Sequence, residues 1–230
     1  MDGSGAPAPR RRPPEGGYAR GEETRERIIE AAFAVFSEEG YAGASTRRIA
    51  AEAGVNPPAL QYYFDSKEGL HRACAQAAID RVMNNLGPAT HQAHVALAGG
   101  TRGAAVEALC ELVEAIAGLA MSKSETQAWR RFMGQCQTDA VGPAYEIMEA
   151  NFVTPMRTLA SELVSQALDL PPGDPTAPLH ALLIFSIGPA LHMKRDSVLA
   201  AMGWSDFEGE RAALLKGILR QQVTRICQGG

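Results

Sequence analysis

The chain has 230 residues, 46% of them apolar, and a formal charge of −4. That is enough for one large or two small domains with a real core, and the charge argues against a protein that coats nucleic acid indiscriminately. No stretch approaches the roughly 20 consecutive apolar residues of a membrane span. The most apolar one, "HALLIFSIGPALHMKR", is broken by Gly188 and Pro189, and the Arg10, Arg11, Arg12 run is not followed by the apolar segment of a secretory signal. No membrane association and a cytoplasmic location are expected.

The first 21 residues, "MDGSGAPAPRRRPPEGGYARG", carry almost no large apolar side chain and are predicted to be a disordered tail. Next, Ile28, Ile29, Ala32, Phe33, Val35 and Phe36 recur at the spacing of an amphipathic helix, with Thr24 as its N-cap and Gly40 as its stop. Ser45 caps a second helix of about two turns through Ile49 and Ala50, which Gly54 ends. Asn56 opens a third, to near Phe64, and Ser66 a fourth that is expected to end near Gly87 and Pro88. "GPATHQAHVALAGGTRG" reads as a connection, after which helices are predicted over 103–121, 125–138, 143–169, 175–202 and 206–228. Period-two alternation of β-branched residues is missing, no repeat is visible, and the expected fold is all-α.

Two short helices joined at Gly54 have the spacing of a helix-turn-helix, whose second helix enters the DNA major groove and turns its first residues to the base edges. Val55, Leu60 and Phe64 make its inward face, so Gln61 and Tyr62 turn outward. An outward tyrosine offers a hydroxyl to a phosphate and a ring to a sugar or thymine methyl. Pro57 and Pro58 suit the first two helical positions, where an N–H has no intrahelical acceptor, and they leave Asn56 only the Ala59 amide to cap.

These residues resemble the TetR-type transcriptional regulators. "AAFAVFSEEGYAGASTRRIAAEAGV" is followed by "ALQYYFDSKEGL" in that family's order and spacing, within Thr24 to Ala78. The resemblance implies a helix-turn-helix DNA-binding domain, placed at 22–68, and a helical effector-binding and dimerisation domain at 69–230. By position it implies an interface with a double-stranded DNA operator formed by Ser45, Arg47, Pro57, Pro58, Ala59 and Gln61. Tyr62 and Tyr63 would grip phosphates, and Lys67 would do the same from the head of the fourth helix. Two positions depart from the family: Gln61 replaces a more usual tyrosine, and Arg48 stands where an acidic residue often closes a capping box. Gln61 fits either a bidentate pair with adenine or a contact to phosphate or water. Tyr62 and Tyr63 also fit packing on the fourth helix, and Lys67, a cation at a helix N-terminus, needs a partner to offset the helix dipole. The Arg10 to Arg12 tail fits either phosphate contact or plain solubilisation.

In the second half, the near-uniformly apolar "HALLIFSIGPALHMK" calls for burial on two sides, by its own domain and by a partner subunit. The last helix adds a stripe of Phe207, Leu214, Leu215, Ile218, Leu219, Val223 and Ile226, so a homodimer built on these two helices is expected. The stretch from "NFVTPMRTLASEL" to "SVLAAMGW" is similar to the effector domain of the TetR subgroup named after CecR, which implies a small-molecule pocket. Met121, Trp129, Phe132, Met133, Phe152, Met156, Phe185 and His192 are the candidate liners, and each fits an ordinary core as well. Pro155 implies a kink or break that opens a gap between helices.

His91 and His94 have a spacing that could grip a metal, but sit in the predicted connection without a carboxylate nearby. His180 and His192 read as core histidines able to bond a ligand carboxylate, and the four scattered cysteines as buried thiols, so neither metal nor cofactor is expected. Paired carboxylates with a nucleophile, or a glycine-rich phosphate loop, are not found, and an enzyme is not expected. The expected function is a ligand-responsive regulator, a homodimeric repressor released from a palindromic operator by a small-molecule effector. A helical protein-binding adaptor is the remaining alternative.

Overall fold

The computed structural model describes residues 15–122, 126–138 and 142–228, and all regular elements among them are helical. In chain order they are α1 (Glu15–Gly43), α2 (Thr46–Glu52), α3 (Pro57–Phe64), α4 (Lys67–Gly99), α5 (Arg102–Met121), α6 (Gln127–Thr138), α7 (Pro143–Met148), a π-helical turn (Glu149–Val153), α8 (Thr154–Leu168), α9 (Ala177–Phe185), α10 (Ile187–Met202) and α11 (Glu210–Gln228).

Residues 1–14, with Arg10 to Arg12, lie outside the described residues. The rest of the expected disordered tail, 15–21, is the opening of α1, and Thr24 lies inside that helix, its hydroxyl donating to the Arg20 carbonyl at 2.8 Å. Tertiary contact supplies what composition lacked: Arg25 lies over the Phe64 ring at 5.5 Å, and Gly21 runs close to the Tyr63 hydroxyl. Gly40, at φ 68° and ψ 172°, breaks α1 as expected, in a conformation open only to glycine.

The turn between α2 and α3 is a Schellman closure. Gly54 is left-handed (φ 64°), its N–H bonds Ala51, and the Val55 N–H bonds Ala50 at 2.9 Å. Ser45, Asn56 and Ser66 cap α2, α3 and α4 through the amides of Arg48, Ala59 and Gly69.

The expected end of α4 at Gly87 and Pro88 is wrong: the helix continues to Gly99 with Pro88 inside it. A proline clashes with the Cβ of the residue before it, and Gly87 has none. Beyond the proline Ala93 and Ala96 are buried, and Gln166 of α8 donates to the Ala96 and Thr101 carbonyls at 3.2 and 2.8 Å. The break predicted at Pro155 takes the form of a π turn. The Thr154 N–H bonds the Glu149 carbonyl five residues back, and this wide turn absorbs the donor that Pro155 lacks. The helix predicted over 175–202 is two, α9 and α10, divided at Ser186.

Two apolar clusters form among the described residues. The first joins α1, α2, α3 and the first half of α4 to Trp129, Phe132, Met133 and Cys136 of α6 and to Ala144 and Met148. The second holds the far half of α4 with α5, α8, α9, α10 and α11. α4 thus belongs to both.

Candidate nucleic-acid interface and effector cavity

α3 is held by its buried face, Leu60 and Phe64, and presents the other to solvent. Pro57, Pro58 and Gln61 are exposed, Ala59 is half-buried, and Arg47 is exposed on α2 beside them in the motif. Tyr62 is 81% exposed, whereas the half-buried Tyr63 packs against the first cluster and meets Tyr62 edge-to-face at 5.2 Å between ring centres. The pair therefore divides: one ring is turned to solvent and the other is partly anchored.

Lys67 has partners within the protein. Its Nζ donates to the Ala42 carbonyl at 3.2 Å and lies 4.8 Å from the Tyr41 ring centre, so it caps the end of α1. Arg48, unable to close a capping box, instead bridges Glu38 at 2.6 Å and Glu39, tying α2 to the last turns of α1. Ser45 spends its hydroxyl on the Arg48 amide, 3.2 Å away.

A cavity of about 470 Å³ opens behind these helices. Its walls are Val82 and Leu86 of α4, Ile116 and Leu119 of α5, Trp129, Met133 and Cys136 of α6, the α7–π–α8 strip from Tyr145 to Ala160, and Pro178 to Gly188 of α9 and α10. Of the candidate liners, the structure brings Trp129, Met133, Phe152, Met156 and Phe185 together here. Met121 is not among them: it is buried in the second cluster. Phe132 faces away, edge-on to Phe33 at 5.0 Å, because it lies on the α1 flank of the α6 stripe. His192 is on α10, but its side chain is outside the described residues. Glu149, Arg157 and Tyr145 were missed, although Pro155 marked the gap around which they gather. They bring polar groups to the wall: Glu149 accepts from Thr154 Oγ1 at 2.8 Å and from Arg157 Nη2 at 3.1 Å.

The cavity wall is fastened to α4. His71, a buried histidine, accepts the Ala144 N–H on Nδ1 at 3.2 Å and is ringed by Phe36, Tyr41 and Phe132. Burial, and secondarily the charge of Lys67, push its pKa down to about 4, so it is neutral at physiological pH. Arg72 pairs with Glu146 at 2.9 Å, and Asn151 donates to Gln76 at 3.4 Å. α4 also abuts α3, because a Cβ on Gly69 would lie 2.2 Å from the Phe64 carbonyl oxygen.

Elsewhere, no cluster of three metal-ligating side chains occurs among the described residues. His91 and His94 lie on exposed turns of α4 rather than in a loop, and half-buried His180 is not a cavity liner. All four cysteines are buried, and burial raises Cys74 so that it stays a thiol. No helix among the described residues is long and apolar enough to cross a membrane.

Two family models match the chain: residues 28–74 fit the bacterial regulatory proteins of the tetR family, and 105–230 fit the C-terminal domain of the HTH-type transcriptional dual regulator CecR. The chain belongs to the TetR family. Its C-terminal part is of the CecR type, and it is a DNA-binding transcriptional regulator. CecR of Shigella flexneri is 27% identical over 91% of this chain and 94% of its own. A TetR-like regulator from Rhodococcus sp. RHA1 shares the fold with a TM-score of 0.61 at 21% identity, covering 90% of this chain and 97% of that one. So does AibR, solved with isovaleryl coenzyme A and operator DNA, with a TM-score of 0.59 at 16% identity over 85% and 97% of the two chains.

Proposed function

We propose that this TetR-family protein is a cytoplasmic, ligand-responsive homodimer that represses from a palindromic operator and leaves it when a small molecule fills the cavity. The observation that carries the reading is the shared wall: α7 and the π turn line the cavity and are bonded through Ala144, Glu146 and Asn151 to α4, whose head abuts α3. A ligand that alters this wall shifts α4, and with it the spacing of two recognition helices that must lie about 34–36 Å apart to reach successive grooves. Near-complete release requires the ligand to favour the released state by about 5.5 kcal/mol. AibR, solved with both an acyl-coenzyme A and operator DNA, is a precedent for both partners in this fold. The Shigella relative is named a dual regulator, and a reporter fused to the gene's own upstream region separates repression from activation in a deletion strain.

Direct binding is tested by titrating labelled upstream DNA. Retention at low salt with a steep loss on added salt supports the reading, and no shift with any upstream fragment overturns it. Gln61→Ala is expected to cost about 1–3 kcal/mol and to relax preference at one base pair, read by a panel of single-base operator variants. An unchanged preference at every base removes Gln61 from base readout.

The dimer surface is proposed on α9 and α11, where Leu179, Leu183, Leu214 and Ile218 are about half or more exposed. Sedimentation at micromolar protein should show twice 24.5 kDa, and Leu183→Glu should return it to 24.5 kDa and weaken operator binding. A wild-type monomer both with and without DNA overturns the dimer.

A further inference from the structure

We propose that the cavity selects an uncharged, largely apolar ligand, and that the Glu149–Arg157 pair at its mouth rejects carboxylates and amines. This rests on the reading that the cavity is the effector site, and it names the class of effector.

Glu149 and Arg157 are the charged side chains among the described liners, and they are bonded to one another. Thr154 closes the set, donating to Glu149 at 2.8 Å and accepting from Arg157 at 3.1 Å. Their side chains are 32% and 57% exposed, which places them at the rim rather than in the depth. Arg157 is joined to Glu149 through Nη2, so a ligand carboxylate on the guanidinium would share it with Glu149 and meet that negative charge, and the pair offers it no net attraction. An ammonium on Glu149 would meet the charge of Arg157 in the same way. Deeper in, the described walls are Trp129, Phe152, Phe185 and aliphatic side chains, and none of these offers an ion a partner. The polar groups left to a ligand include the Tyr145 hydroxyl and, as an acceptor, the Ser186 oxygen, whose hydrogen goes to the Leu183 carbonyl at 3.0 Å. At about 30 Å³ per displaced water, the volume holds on the order of 16 waters, room for a ligand with a ten-carbon body.

The test uses one adaptable body with three heads: 1-decanol, decanoate and decylamine, each titrated calorimetrically below its solubility or micelle limit into the full chain at pH 7.5. Decanol is expected to bind at least about tenfold tighter than either ion. Glu149→Gln keeps the shape and releases Arg157, so decanoate should gain about tenfold or more while decanol changes by less than about threefold. Arg157→Gln should do the same for decylamine. Wild-type protein that binds either ion as tightly as decanol overturns the proposal, as does an order unchanged in both variants. If none of the three binds the wild type, the effector reading falls with it. Operator affinity, followed separately with decanol present, tests the regulatory reading without touching the ligand class.

Discussion

Gly69→Ala is expected to lower the melting temperature and weaken operator binding by about tenfold or more, although alanine is the better helix former. In an open helical position that replacement stabilises by about 0.5–1 kcal/mol. Here the added methyl would sit 2.2 Å from the Phe64 carbonyl oxygen, a backbone atom that no rotamer change can move. The turn has little slack: Asp65 is already left-handed at φ 60°, and Ser66 Oγ holds the Gly69 amide at 3.0 Å. Overpacking of this kind costs about 1–3 kcal/mol, so it exceeds the propensity gain. In a protein of this size each kcal/mol lowers the melting temperature by about 2–4 °C. Relief comes by moving the end of α3, and losing one good base contact is worth about 1–3 kcal/mol, which sets the loss in affinity. Gly118→Ala in α5, where nothing lies within 4 Å of the new methyl, is the control and should be neutral or stabilising. Equal behaviour of the two variants in thermal melts and operator titrations would remove the close approach as the cause.

The second large effect is acid lability from His71. In the folded protein it stays neutral down to about pH 4, while in the unfolded chain it protonates near pH 6.5. Below pH 6.5 the unfolded chain therefore binds more protons, and stability falls as the pH falls. The contribution is intact above about pH 7, and roughly 3 kcal/mol is gone by pH 4. Among the described residues the ring meets the aromatics Phe36, Tyr41 and Phe132 and the Ala144 amide, and the charge of Lys67 acts on it. His71→Asn keeps an acceptor for that amide but does not titrate. It should be less stable at pH 7.5, having lost ring contacts worth about 0.5–1.5 kcal/mol each, and should show a flatter fall between pH 6.5 and 4 in urea midpoints. Because carboxylates also titrate toward the acid end of this window, the difference between the two profiles is the readout. Parallel profiles would mean that the imidazole is not the group being protonated.

Much of the front of the molecule was legible because its determinants are local. Ser45, Asn56 and Ser66 cap the helices they were expected to cap, and Gly40 and Gly54 take backbone conformations that only their residue type allows cheaply. Leu60 and Phe64 fell on the buried side of α3 by the helical period alone. The errors have the opposite character. α4 passes through Pro88 because Gly87 removes a clash and Gln166, 70 residues away from Ala96, holds its far end. α1 begins at Glu15, against expectation, with α3 packed beside it.

Thus local chemistry, read residue by residue, was sufficient for the helical class, the helix-turn-helix and the outward Gln61 and Tyr62, since periods, caps and glycine conformations act over a few residues. The cavity was not accessible that way. Trp129, Glu149, Phe152, Arg157 and Phe185 meet only when α6, the π turn, α8 and α9 pack together, and Met121 and Phe132, alike in type, are turned elsewhere by the same packing. A side chain's chemistry is local, but which others it faces depends on contacts distant in the chain.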